Sequence, residues 1–232
     1  MGCGQQGETS VRLTHMNGPN VGTPRWSPDG RLIAFDSVRA GNRDIYVINS
    51  AGGKPWQVTT EQSEECCPSW SRDGQWIYFG SERNGSLQIW KMPSTGGPAE
   101  QVTKQGGFEG FEVESSEGVY FYYAKGRDIP GIWRIPVGGS EETPVLDHHG
   151  AGYWRSWAVT EQGIYFATAE TPNRPIHEFF NFATRQVTPV TTLDKRISSR
   201  VWGLSVSPDR QWILYTQIHH QNSDIMLMEN FR

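Results

Sequence analysis

One motif returns through the chain at a fixed interval, and an interval of this length restricts the fold to architectures built from stacked, similar units. Pro24-Arg25-Trp26-Ser27-Pro28-Asp29-Gly30 leads into Leu32-Ile33-Ala34-Phe35. Trp26, Asp29, Gly30, Phe35, Ile45 and Thr59 then return as Trp70, Asp73, Gly74, Phe79, Ile89 and Thr103, each 44 positions further on. A third copy is worn, with Glu114-Ser115-Ser116-Glu117-Gly118 in place of the Trp-Ser-Pro-Asp-Gly run and Tyr123 in the aromatic position. The fourth runs from Trp157 through Gly163 to Phe166, and the fifth is Val206-Ser207-Pro208-Asp209-Arg210 followed by Tyr215. In all five, an aromatic residue lies nine positions after the tryptophan equivalent, and an isoleucine follows at Ile45, Ile89, Ile132, Ile176 and Ile225.

Each unit reads as four strands. Ser-Pro-Asp-Gly is a tight turn, because proline presets φ at its second position and glycine accepts a positive φ at its fourth. It joins a strand ending at the tryptophan to one such as Leu32 to Phe35. A third strand is rich in β-branched and aromatic residues, as in Asp44-Ile45-Tyr46-Val47-Ile48. A Gly-Gly turn (Gly52-Gly53, Gly96-Gly97, Gly138-Gly139) leads to a fourth, such as Trp56 to Thr59. Four antiparallel strands per unit of this length predict an all-β propeller with five recognisable blades, near 24–59, 68–103, 111–146, 154–193 and 202–229. The whole chain, 1–232, is expected to form a single propeller domain.

The run Pro-x-Trp-Ser-Pro-Asp-Gly, then Ile-Ala-Phe, Asp-Ile-Tyr-Val, Gly-Gly and Val-Thr resembles the TolB-type repeat, a WD-like propeller repeat of bacteria. Repeats 1 and 2 match it closely and repeats 3 to 5 loosely. The segment from Leu204 to Arg232 is similar to the end of the propellers that some bacteria join behind a winged-helix DNA-binding domain or a kinase domain. The resemblance implies a non-catalytic protein-interaction or sensor module, forming the C-terminal part of a larger signalling or regulatory protein, in a periplasmic or extracytoplasmic setting.

Residues 9–14 read as an isolated fourth strand, and the fifth repeat stops after its third. The two deficits are complementary, so 9–14 is expected to clasp the last blade. Two readings stay open: a closed ring of five blades, or part of a larger propeller, which the resemblance favours.

The net charge is −4, and no basic tract occurs, which argues against nucleic-acid binding by this domain. No apolar run reaches the roughly 18 residues of a membrane span, and the first residues lack the pattern of a secretory signal, so the chain as written reads as cytoplasmic if complete. Cys3, Cys66 and Cys67 form no disulfide framework.

The Ser-Pro-Asp-Gly and Gly-Gly turns share one face, which their uniformity marks as structural. The opposite face carries variable loops, among them Glu61 to Cys67 between blades, and loops of that kind on a rigid frame are where binding sits. Thirteen positions after each tryptophan equivalent, on that face, stand Arg39, Arg83, Arg127, Glu170 and His219. Arg39, Arg83, Arg127 and His219 are the candidate partner-binding residues, suited to an acidic partner protein; the alternative is that these arginines cap their own loops. No nucleophile elbow is present, and His148-His149 and His219-His220 lack zinc-like spacing, so neither catalytic nor metal residues nor a cofactor are assigned. The competing reading is enzymatic: a channel-site hydrolase or lyase using Glu109, Glu112 and Glu114 of the third repeat, or the propeller of a prolyl-oligopeptidase-like protein lacking its hydrolase domain.

Overall fold

The computed structural model describes residues 21–39, 41–115, 118–126, 129–147, 156–168, 176–192, 204–206, 212–219 and 222–229. They form strands, turns and loops with no helix, and hence no helix long and apolar enough to cross a membrane. The first blade is β1 (Val21–Trp26), β2 (Leu32–Arg39), β3 (Asn42–Asn49) and β4 (Trp56–Gln57); the second is β5 (Glu65–Trp70), β6 (Trp76–Ser81), β7 (Gln88–Pro93) and β8 (Glu100–Gln101). The third is β9 (Glu109–Ser115), β10 (Gly118–Ala124), β11 (Ile132–Pro136) and β12 (Thr143–Leu146), and the fourth is β13 (Trp157–Thr160), β14 (Gly163–Thr168), β15 (Ile176–Asn181) and β16 (Val187–Thr192). The fifth sheet has three described strands, β17 (Leu204–Val206), β18 (Trp212–His219) and β19 (Asn222–Glu229). Every sheet is antiparallel and in sequence order, and the first strands of successive blades neighbour one another along the inner side of the propeller. The proposed clasp, 9–14, lies outside the described residues, as do the fifth turn around Pro208 and the histidines at 148 and 149.

The repeated polar residues build the same hydrogen-bond set twice. In the first turn Gly30 N–H donates to Ser27 O (2.9 Å), the Ser27 hydroxyl to Asp29 Oδ1 (2.6 Å), Arg31 N–H to the same oxygen (3.1 Å), and Leu32 N–H to Ser27 Oγ (2.9 Å). Ser71, Asp73, Gly74, Gln75 and Trp76 repeat that network in the second. Gly30 and Gly74 sit at φ 71° and 69°, the left-handed region that other residues enter at a cost of about 1 kcal/mol. The serine hydroxyls first, then the backbone donors, hold the Asp29 and Asp73 carboxyls below their ordinary range. The repeated threonine ties the third strand to the chain beyond the fourth: Ile45 N–H donates to Thr59 Oγ1 and Ile89 N–H to Thr103 Oγ1, both at 2.9 Å.

The repeated apolar residues form the seams between blades. Because side chains alternate across a sheet, each central strand feeds two seams. Ala34, Ile45 and Val47 of the first blade pack with Trp70, Ile77, Phe79 and Trp90 of the second. Tyr78 and Ile89 of the second meet Phe121, Tyr123 and Ile135 of the third, with the Tyr78 and Phe121 rings stacked at 4.4 Å. Tyr122, Ile132 and Leu146 then meet Trp157, Ile164, Phe166 and Phe180 of the fourth, and Ala158 meets Leu204 and Ile213 of the fifth.

Glu61 to Cys67, expected as a loop between blades, ends as strand, since β5 begins at Glu65. The reason is a β-bulge: register shifts occur between Cys66 and Ser69 and, one repeat earlier, between Gly22 and Arg25. The bulged residues Thr23 (φ 44°) and Cys67 (φ 58°) are left-handed without being glycine. Buried Asp36 holds both, accepting from the Thr23 hydroxyl, from Cys67 N–H (3.1 Å) and from Arg43.

Trp26 and Trp70 occupy the same place in their repeats and differ in burial. Trp70 is 8% exposed, packed on the first blade, with its indole N–H donating to Arg25 O at 3.0 Å, whereas Trp26 is 57% exposed. Trp70→Ala is therefore expected to cost about 3–5 kcal/mol, and Trp26→Ala within about 0.5 kcal/mol, as read from urea midpoints at constant slope. Equal losses at the two positions would mean that seam packing does not set the worth of the repeat tryptophan.

Candidate functional site

Three charged assemblies and one groove concentrate the polar chemistry of the described residues. The first assembly crosses the inner side. The Arg25 guanidinium on β1 pairs with Glu109 on β9 at 2.9 Å and lies over the Phe111 ring at 5.2 Å, joining first strands of two blades that are not consecutive. Glu109 is buried, and so is Glu65, which stands 44 positions earlier at the start of β5.

The second assembly surrounds Glu65. Its carboxylate accepts from the Ser81 hydroxyl (3.2 Å) and from Arg83, whose guanidinium also donates from Nε to Ser81 Oγ (3.1 Å) and lies over the Trp90 and Phe79 rings at 4.8 and 5.3 Å. Arg83 is thus turned into its own blade. The side chains of Arg39 and His219 and the whole of residue 127 lie outside the described residues, so Arg83 alone of the four candidates has a described side chain.

The third assembly is a latch between the second and third blades. Glu112 accepts from the Tyr78 hydroxyl (2.7 Å) and from Arg72 N–H (3.3 Å), while Glu114 pairs with the Arg72 guanidinium at 2.7 Å. Burial, and then the bond to Glu112, raise the Tyr78 hydroxyl well above its ordinary pKa. All three glutamates of β9 are therefore engaged, Glu109 by Arg25, Glu112 by Tyr78 and Glu114 by Arg72. A general acid and base pair needs two carboxyls facing a common open space; here the carboxylates are spent on joining blades.

The groove lies between the third and fourth blades, on the face of the tight turns that their uniformity had marked as structural. Its volume is about 780 Å³. One side is formed by Arg134 on β11 and by Thr143 to Val145 on β12; the other by Glu161 and by Phe182 and Arg185 of the β15–β16 turn. Tyr122 and Phe182 stack at 5.3 Å within it. The β15–β16 turn borders the opening. Asn181 Oδ1 accepts from Ala183 and Thr184 N–H (2.9 and 3.0 Å), and Arg185 N–H donates to Asn181 O, which forces Arg185 to φ 56°. The first three blades use Gly-Gly in the corresponding turn. That missing pair is the signal in the sequence that marks the place.

One further carboxyl is electrostatically exposed to its neighbours. Asp44, buried beside Thr59, is raised from 3.8 to about 6, by burial first and then by the negative charge of Glu65, with the hydroxyl of Thr59 opposing. The second blade places neutral Gln88 there, accepting from Thr103 at 2.9 Å. Folded Asp44 holds its proton more tightly than the unfolded chain does. Its effect is thus a loss of stability as pH rises from about 4 to about 6, complete above that window. Asp44→Asn is expected to be neutral below pH of about 4 and stabilising by about 1 kcal/mol above pH of about 6, after allowance for solvent screening. Urea titrations across that range check it; a mutant less stable than the parent at neutral pH would contradict it.

With the geometry in place, similarity to known proteins adds its part. The family model for the TolB β-propeller domain matches residues 5–205. The Tol-Pal system protein TolB of Syntrophus aciditrophicus is 57% identical over 30 residues, which are 13% of this chain and 7% of that protein. The crystal structure of TolB from Acinetobacter baumannii superposes with a TM-score of 0.71 at 19% identity, covering 90% of this chain and 52% of that one. A putative TolB from Agrobacterium tumefaciens gives 0.64 at 21% identity, covering 91% of this chain and 78% of that one. The chain thus spans about half the length of the Acinetobacter TolB, and the two structures share its fold. With the family model covering most of its length, the chain belongs to the TolB β-propeller domain family.

Proposed function

We propose that this chain is a non-catalytic protein-interaction module, belonging to a larger signalling or regulatory protein and working in the bacterial periplasm. Family membership carries the reading. The relative that matches a short stretch is a Tol-Pal system protein, which supports the periplasmic setting. Two features of the site agree with it. The carboxylates of the third blade join blades instead of facing one another across an open site, and the blades themselves form a frame of stacked sheets from which turns and loops project.

Crosslinking of the purified chain in a bacterial envelope extract, followed by calorimetric titration of the recovered partner as a purified protein, tests the proposal. A saturable isotherm with defined stoichiometry is expected. In parallel, peptide, ester, lactone and glycoside substrates are expected to turn over no faster with the chain than with Glu112→Gln. Turnover that disappears in a folded Glu112→Gln variant would overturn the proposal in favour of a hydrolase or lyase.

A further inference from the structure

The loop between β6 and β7 carries an asparagine followed by a glycine, Asn84-Gly85, with Ser86 next, and all three residues are exposed. An asparagine side chain is an amide, and the backbone nitrogen of the following residue reaches its Cγ by closing a five-membered ring. A side chain on that following residue crowds the ring, and glycine has none. The surroundings of Gly85 are open as well, since a Cβ built there would meet nothing within 4 Å.

The structure singles out Asn84 among the four asparagines whose side chains it describes. Asn49 Oδ1 accepts from Ala51 N–H at 2.8 Å, and Asn181 Oδ1 accepts from Ala183 and Thr184 N–H, so both carboxamides are fastened to their own turns. Asn42 donates to Glu61 O at 2.7 Å and is followed by Arg43, which pairs with Val38 in the β2–β3 ladder. The residues after these three, Ser50, Phe182 and Arg43, all carry side chains. Asn84 Nδ2 donates to Gln101 Oε1 at 3.1 Å, at an exposed position, and its Oδ1 accepts no hydrogen bond among the described residues. One contact opposes reaction: Gly85 N–H donates to Glu82 O at 2.8 Å, and that bond has to open before the nitrogen attacks. An exposed backbone hydrogen bond of ordinary strength slows the step by about tenfold at most.

We propose that Asn84-Gly85 is a site of self-modification, at which the chain converts its own asparagine to an aspartyl or isoaspartyl residue with water as the only co-reactant. The Gly85 nitrogen, on losing its proton to solvent, bonds to Asn84 Cγ. The Cγ–Nδ2 bond breaks, and that nitrogen takes a proton from water and leaves as ammonia, so that a cyclic imide remains. Water then opens the imide at either of its carbonyl carbons. Cleavage at Cγ restores the ordinary chain with aspartate; cleavage at the backbone carbonyl leaves the chain running through Cγ, an isoaspartyl link. In sum, one water is consumed and one ammonia released, with no oxidation or reduction.

The neighbours of Asn84 fix the consequence. Gln101 directs its Nε2 to Thr103 O at 2.8 Å, as Gln57 does to Thr59 O at 2.9 Å one repeat earlier, so Oε1 is the atom that it turns to Asn84. A carboxylate in place of the amide meets that oxygen with no proton to donate. The product loses the side-chain bond that ties the loop to β8 and places a new negative charge near exposed Glu82, on the face of the variable loops. The change runs one way and stands whether or not the chain binds a partner.

The test holds the intact, folded chain in mildly alkaline and in mildly acidic buffer and follows it by peptide mapping with mass spectrometry and by assay of released ammonia. The peptide containing Asn84 is expected to give two acidic products of equal mass, faster in the alkaline buffer because the attacking nitrogen has to lose its proton. Asn42, Asn49 and Asn181 are expected to stay intact over the same period. Asn84→Gln, an exposed change that lengthens the ring to six members, is expected to abolish this ammonia. The chain unfolded in guanidinium chloride at the same pH sets the reference, and conversion in the folded chain is expected to be slower by no more than about tenfold. An intact Asn84 in the folded chain, with conversion only after unfolding, would mean that the turn protects it and would overturn the proposal. Conversion of Asn42, Asn49 or Asn181 in the folded chain at a comparable rate would overturn it equally. Asn84→Asp, which reproduces one product, is expected to speed hydrogen exchange over residues 82–87 and to leave β6 and β7 as in the parent; an unchanged loop would overturn its release from β8.

Discussion

A four-stranded sheet that is apolar on both faces cannot stand alone in water, and this constraint governs the whole molecule. Each blade exposes an apolar face until the next one covers it. The seam of Ala34, Ile45 and Val47 against Trp70, Phe79 and Trp90 is therefore not an addition to the blade but the condition for its existence. Repeating the same residues at the same spacing repeats the same seam. The polar positions of the repeat serve it indirectly: Ser27 with Asp29, and Thr59 with the Ile45 N–H, fix turns and strand ends so that the aromatic and isoleucine side chains arrive at the seam in register.

That division of labour explains what the sequence could and could not reveal. Seam residues are local in code, since nine positions from tryptophan to aromatic is a statement about one hairpin, and Phe35, Phe79, Tyr123 and Phe166 are all buried as the period implies. The turns were legible for the same reason. Charge pairings were not, because they join residues with no common period: Arg25 to Glu109, Arg72 to Glu114, Arg43 to Asp36. The bulges at Thr23 and Cys67 were also hidden. Neither residue is a glycine, so nothing in the chain announces a left-handed backbone there, and the bulges are held by Asp36, which lies across the hairpin from Thr23 but 31 positions from Cys67. Arginines at a constant interval suggested a surface arc, but the period does not distinguish a side chain facing out from one facing in. Arg83 faces in, toward Glu65.

For function, departures from the repeat are more informative than the repeat. A position that follows the pattern is already explained by the seam or the turn that it builds. Arg185 breaks the pattern in a turn where glycine is easier, and its side chain lines the groove beside the third blade. Glu112 and Glu114 of the third repeat also break the pattern, yet their departure is accounted for by the contacts they make with Tyr78 and Arg72.

The most direct measurement of the seam's role is hydrogen–deuterium exchange on the parent chain and on Trp70→Ala. Faster exchange is predicted in the variant on both sides of that seam, in β2 and β3 of the first blade and in β6 and β7 of the second, with β14 and β15 of the fourth blade changed less. Faster exchange confined to β5, with β2 and β3 as slow as in the parent, would contradict it.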